Sequence, residues 1–129
     1  MGKTVTALNL AAVLASAGKR TLLVDCDGQM SLTRFHLPDL DPDDTPTVVD
    51  VLRGIHEPVW SDNTIPLDEH IQLLPASSAL YGLDVAAIRK GGSGLTALRD
   101  FRDAVAEDGA ADYMICDCPP GFTAASIAA

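Results

Sequence analysis

Apolar and polar positions alternate between two periods along this chain. Residues 3–17 carry apolar side chains on most faces, with Thr6 and Asn9 interrupting Val5, Ala7, Leu8, Leu10, Ala11, Val13 and Leu14. Such a pattern predicts a helix lying between a sheet and other protein. Gly18 stands as its stop, and Lys19 and Arg20 suit the negative helix end. Thr21-Leu22-Leu23-Val24-Asp25 is a short apolar run ending in acid, which after a helix predicts a buried parallel strand. Ile71-Gln72-Leu73-Leu74, closed by Pro75, predicts a second strand. A third runs from Asp112 to Asp117 and breaks at Pro119 and Pro120. Between them, Thr47-Val48-Val49-Asp50 fits a capping box opening a short helix through Arg53, with Gly54 as its stop. Residues 77–90 predict a helix with Leu80, Leu83, Ala87 and Ile88 as its core stripe. Thr96 to Glu107 predicts another, with Leu98, Phe101 and Val105 inward. Residues 30–46 and 55–70 are expected to be mostly loop and irregular chain, and Phe122 to Ala129 to begin one more helix.

At 129 residues the chain makes one domain at most, and 47% hydrophobic residues exclude disorder. No apolar run approaches the roughly 20 residues of a membrane span, and the first residues lack the regions of a signal peptide. The expected location is the cytoplasm. A net charge of −9, with nine scattered Lys and Arg residues, argues against direct DNA binding by this stretch. Cys26, Cys116 and Cys118 have no CxxC spacing and read as reduced strand residues. No histidine lies near them, whereas a zinc site takes about four ligands; His36, His56 and His70 form no cluster either.

Candidate chemistry gathers at three places. Gly2-Lys3-Thr4 has the residue types of the end of a phosphate loop. Gly2 lets backbone approach a phosphate, Lys3 brings a point charge to the terminal phosphates, and the Thr4 hydroxyl can hold Mg²⁺. The helix N-terminus adds N–H donors and a positive dipole end. An ordinary capped helix is the plain alternative. Asp25-Cys26-Asp27-Gly28-Gln29 follows the first strand, where open α/β sheets bind ligands, although two aspartates before a glycine also serve as turn formers. Asp117 ends the third strand, as does the metal-holding aspartate of phosphate-loop ATPases. Strand alternation puts Cys116 and Cys118 on one face and Asp117 on the other. Lys90-Gly91-Gly92-Ser93-Gly94 reads as a connection instead: it follows a helix, and Leu95 stands where a lysine is needed.

Taken together, Gly2-Lys3-Thr4, Asn9-Leu10-Ala11-Ala12, Leu22 through Gln29, Leu74-Pro75-Ala76 and Asp117-Cys118-Pro119-Pro120 closely resemble the ParA/Soj-type partition ATPases. These lie within the ParA/MinD group of deviant Walker A phosphate-loop proteins. Asp27-Gly28-Gln29 is similar to that family's Asp-Pro-Gln. The resemblance implies an α/β fold: a P-loop NTPase-like parallel sheet with helices on both faces, over residues 1–129 as a single incomplete domain. It implies ATP and Mg²⁺ as cofactors. Gly2, Lys3, Thr4 and Val5 would bind nucleotide, with Lys3 at the β and γ phosphates. Thr4 and Asp117 would reach the metal with support from Asp25, Asp27 would position the attacking water, and Pro119-Pro120-Gly121 would start a nucleotide-sensing switch. The implied function is an ATP-hydrolysing switch for chromosome or plasmid partitioning. It would form an ATP-dependent homodimer, answer to a ParB-like partner and associate with the nucleoid, without a membrane.

Departures from the family pattern set further expectations. Met1 occupies the variable position of Lys-Gly-Gly-x-Gly-Lys-Thr, so the signature lysine is missing, and Val5 replaces a usual second threonine. The family's first strand, which would lie beside the Asp117 strand, and its C-terminal half with the basic DNA-binding surface are also missing. The chain by itself is therefore expected to lack Mg-ATPase activity and nonspecific DNA binding, and to leave an unpaired apolar edge on the Asp117 strand. The competing reading is a noncatalytic ParA-like remnant acting as a binding module. A tyrosine-kinase-like member of the superfamily ranks behind it, for want of a tyrosine-rich tail.

Overall fold

Three parallel strands form the centre of the fold. The computed structural model describes residues 3–53, 63–82 and 97–118. The elements are α1 (Lys3–Ser16), β1 (Thr21–Asp25), α2 (Ser31–His36), α3 (Val48–Arg53), β2 (Ile65–Pro66), β3 (Ile71–Leu74), a 3₁₀ turn (Ser78–Gly82), α4 (Ala97–Glu107) and β4 (Tyr113–Asp117). Among the described residues the sheet order is β2-β3-β1-β4, with β1 parallel to both neighbours and β2 antiparallel to β3. Among the described residues β4 pairs with β1 alone and stands at the edge.

All five residues of β1 are buried, because both faces of the sheet are covered. Leu22, Val24 and Cys26 face one side, where Val48 and Leu52 of α3 and Leu98, Phe101 and Val105 of α4 pack. Leu23 and Leu73 face the other, against Ala7 and Ala11 of α1 and Leu32 of α2. The expected helices on both faces of a parallel sheet are thus present. The inward stripe of α4 is also as expected. On α1, small Ala7 and Ala11 let the helix lie close to the sheet, while Val5, Leu10 and Val13 are exposed on the opposite side.

Local chemistry sets several boundaries. Gly18 takes φ 77°, and the Gly18 and Lys19 N–H groups donate to Ala15 O (3.0 Å) and Leu14 O (2.9 Å). This closes α1 with a left-handed cap that glycine adopts without Cβ strain. The capping box of α3 forms as read: Thr47 N–H donates to Asp50 Oδ2 at 2.8 Å, and Val49 N–H to Thr47 Oγ1 at 3.2 Å.

Two segments expected to be loop or irregular carry structure instead. Residues 31–36 form α2 and Ile65–Pro66 forms β2. Neither has a local signal. Met30, before α2, is left-handed at φ 62° and offers no side-chain cap, so the helix is capped from β1 as described below. The pairing of β2 spans only two residues, too few for alternation to show. The helix expected over residues 77–90 is observed as the 3₁₀ turn with Leu80 buried; its remainder, Gly54, the glycine-rich connection and Phe122 to Ala129 lie outside the described residues.

Phe101 is fully buried between α4 and the sheet. Phe101→Ala is expected to destabilise the fold by about 3–5 kcal/mol through lost burial and a residual cavity. Urea unfolding checks this, and a loss near zero would show that α4 is not part of the cooperative core.

Candidate functional site

The carboxyl ends of β1 and β4 meet the first turn of α1. Asp25 and Asp117 are register partners on adjacent parallel strands, so both side chains stand on the α1 and α2 side of the sheet. Thr4 Oγ1 donates to Asp117 Oδ2 at 2.6 Å. This bond joins residues 113 positions apart and fixes the start of α1 at the end of β4. Asp117 is 5% exposed, so its carboxylate needs such donors.

Asp25 is fully buried, and both of its oxygens are engaged. Oδ2 accepts from Thr33 N–H at 2.9 Å and Thr33 Oγ1 at 2.6 Å; Oδ1 accepts from Asp27 N–H at 3.2 Å. Burial pushes the Asp25 carboxyl above its ordinary value, the hydrogen bonds from Thr33 and Asp27 pull it back, and the neighbouring charge of Asp117 adds to the rise. Thr33 Oγ1 also accepts from Ala76 N–H at 2.9 Å. One hydroxyl therefore connects β1, α2 and the segment leaving β3. Sequence reading missed Thr33. Its partner lies eight residues away on another element, so no local pattern marks it.

Asp27 is partly exposed beyond the end of β1. Its Oδ1 accepts from Gln29 N–H at 3.0 Å, and its carbonyl accepts from Met30 N–H at 2.9 Å. The turn-forming role and the candidate chemical role thus coincide in one residue. Val5 is exposed on the first turn of α1. Lys3 opens that helix in the backbone, while its side chain, together with Gly2, Pro119, Pro120 and Gly121, lies outside the described residues.

A cavity of about 40 Å³ lies elsewhere, at the amino end of the strands, lined by Arg20, Thr21, His70 and Gln72 among others. It suits water rather than a nucleotide, and the buried Thr21 Oγ1 has no protein partner there.

The donor set at the carboxyl ends of β1 and β4 is hydroxyl and carboxylate oxygen. It fits Mg²⁺, which binds through one or two such groups and keeps water and phosphate as its other ligands. Among the described residues no group of three or more His, Cys, Asp or Glu could hold a metal by itself, as that mode of binding allows. No helix among the described residues is long and apolar enough to cross a membrane.

Comparison with known proteins bears on this arrangement. The family described as an AAA domain matches residues 1–129. The chromosome partitioning protein ParA of Myxococcus xanthus is 35% identical over 125 residues, covering 95% of this chain and 41% of that protein. The structure of an ATP complex of McdA from Cyanothece superposes with a TM-score of 0.81 at 30% identity, over 98% of this chain and 46% of that one. Cobyrinic acid a,c-diamide synthase from Mycobacterium smegmatis, with bound ATP analog and magnesium, gives a TM-score of 0.78 at 36% identity, over 98% and 50%. The chain thus spans half or less of the length of these three relatives.

Removing the Thr33 hydroxyl leaves a buried carboxylate oxygen and the Ala76 N–H short of a partner. Thr33→Val is expected to cost about 1–3 kcal/mol, with Thr33→Ser retaining most of the stability. Denaturant midpoints of the two variants check this. Equal losses would mean that packing, not the hydroxyl, carries the effect.

Proposed function

The chain belongs to the AAA-domain family, among its ParA/Soj-type partition ATPases, and we propose that it contributes the phosphate and metal end of an ATP-dependent switch. The observation that carries this reading is the 2.6 Å bond between Thr4 and Asp117, which unites a hydroxyl at a helix N-terminus with a strand-end carboxylate. In this reading Gly2, Lys3 and the backbone N–H of Thr4 and Val5 receive the terminal phosphates at the positive end of α1. Thr4 and Asp117 hold Mg²⁺, which neutralises charge on the phosphoryl oxygens when bound.

Asp27 orients the attacking water. Its Asx-type turn onto Gln29 N–H holds the carboxylate at the strand end, and water positioning acts on the transition state more than on bound nucleotide. Asp25 works through others. With its oxygens engaged by Thr33 and Asp27, it supports the metal side by holding the turn that carries Asp27. Hydrolysis then drives a switch for chromosome or plasmid partitioning. The whole protein forms an ATP-dependent homodimer in the cytoplasm and responds to a ParB-like partner. DNA is bound nonspecifically through surfaces other than this acidic segment, whose net charge of −9 opposes such contacts.

Two measurements test the proposal. Thr4→Val and Asp117→Asn are each expected to weaken Mg-ATP binding roughly tenfold, about 1.4 kcal/mol, while ATP binding in the presence of a chelator changes little. Calorimetric titration reads both, and parental Mg-ATP affinity in both variants would remove the metal assignment. In a full-length ParA-type protein carrying this segment, Asp27→Ala is expected to keep ATP binding and lose hydrolysis. Parental turnover in that variant would show that Asp27 does not position the water.

A further inference from the structure

Cysteines far apart in sequence meet beside the candidate metal residues. Cys26 N–H donates to Asp117 O at 2.9 Å, which continues the β1–β4 ladder one step past the Asp25–Asp117 pair and sets Cys26 opposite Cys118. Cys26 shares a sheet face with Leu22 and Val24, and Cys116 and Cys118 pack against that same cluster. The neighbouring Cys116 and Cys118 side chains push the Cys26 thiol pKa up and so favour its protonated form. Cys26 is buried, the other two are half-buried, and none is in a disulfide.

We propose that Cys26 and Cys118 form an oxidation site that closes to a disulfide across β1 and β4. Neighbouring strands stand about 4.8 Å apart, which brings same-face Cβ atoms of in-register residues close to the roughly 3.5–4.5 Å that a disulfide needs. Cys116 and Cys118, two residues apart on one extended segment, place their Cβ atoms about 6.6 Å apart, against the roughly 3.5–4.5 Å a disulfide needs. Cys116 pairs with Val24, two residues out of register with Cys26, so the Cys26–Cys116 separation is larger than the in-register one, and Cys26–Cys118 is the closest of the three pairs. With a hydroperoxide as oxidant, the more accessible Cys118 sulfur attacks the O–O bond, becoming a sulfenic acid and releasing water or an alcohol. The Cys26 sulfur then displaces hydroxide from it, which leaves as water with the remaining thiol proton. Two thiols lose two electrons and two protons, and the peroxide bond accepts both pairs. Such a bond would tie the turn carrying Asp27 to the strand end carrying Asp117. This consequence for nucleotide binding rests on the function proposed above; the cross-link does not.

The test treats the folded chain with hydrogen peroxide, alkylates remaining thiols after denaturation and maps the peptides. The expected result is loss of alkylation at two of the three cysteines, a Cys26–Cys118 cross-linked pair, and full reversal by dithiothreitol. C116S is expected to retain the cross-link, and C118S and C26S to lose it; the unsubstituted chain gives the map even where a variant does not fold. Irreversible oxidation without a cross-link, a cross-link seen only in unfolded chain, or one that persists in C118S would overturn the proposal. Mg-ATP titration of reduced and oxidised protein reads the coupling separately, with at least tenfold weaker binding expected on oxidation. Unchanged affinity in cross-linked protein would overturn the coupling. Absence of binding in the reduced form would count against the nucleotide reading alone, since the peptide map needs no nucleotide.

Discussion

A carboxylate buried at the end of a strand must have its oxygens hydrogen-bonded, and much of this fold is arranged around meeting that demand for Asp25. The donors come from Thr33 and Asp27, and the same Thr33 hydroxyl accepts from Ala76. An unpartnered buried polar group costs on the order of 1–3 kcal/mol, more when charged. The position of α2, the turn after β1 and the exit from β3 are therefore interdependent. Each supplies or receives a bond that the others cannot replace. Met30, left-handed at the entrance to α2 and almost wholly buried, accepts an uncommon backbone conformation so that Thr33 can reach Asp25.

This rigidity serves the exposed side of the same region. The carboxyl ends of β1 and β4 are held in register by the sheet, and Thr4 of α1 is fastened to Asp117. The candidate site groups are thus carried on strand ends whose carboxylates are hydrogen-bonded. The cysteines lie on the opposite face of these strand ends, packed with the α3 and α4 cluster. One pair of strands therefore presents carboxylates to one layer and thiols to the other, a direct result of the two-residue period of a strand.

Much of this was legible in the residues themselves. The Schellman-type close at Gly18, the capping box at Thr47 and Asp50 and the inward stripe of Leu98, Phe101 and Val105 depend on neighbours within a few positions, and all appear as read. The family resemblance was legible for the same reason, because short motifs at strand ends keep their spacing. The helix α2 was not. Its cap is a side chain from β1, and six residues with a left-handed entry show no helical period of their own.

By itself, then, the sequence determined the main alternation of helices and strands, the acidic strand ends and the membership in the AAA-domain family. These follow from side-chain period and local capping, which act over a turn or a few residues. Only the tertiary structure decided what the acidic strand ends are used for. It turned Asp25 inward to cap α2, brought Asp117 to Thr4, and stacked Cys26 against Cys116 and Cys118. Those outcomes depend on strand register and on which helix covers which face of the sheet. Both are set by burial summed over the whole chain, a quantity that no single stretch of residues contains.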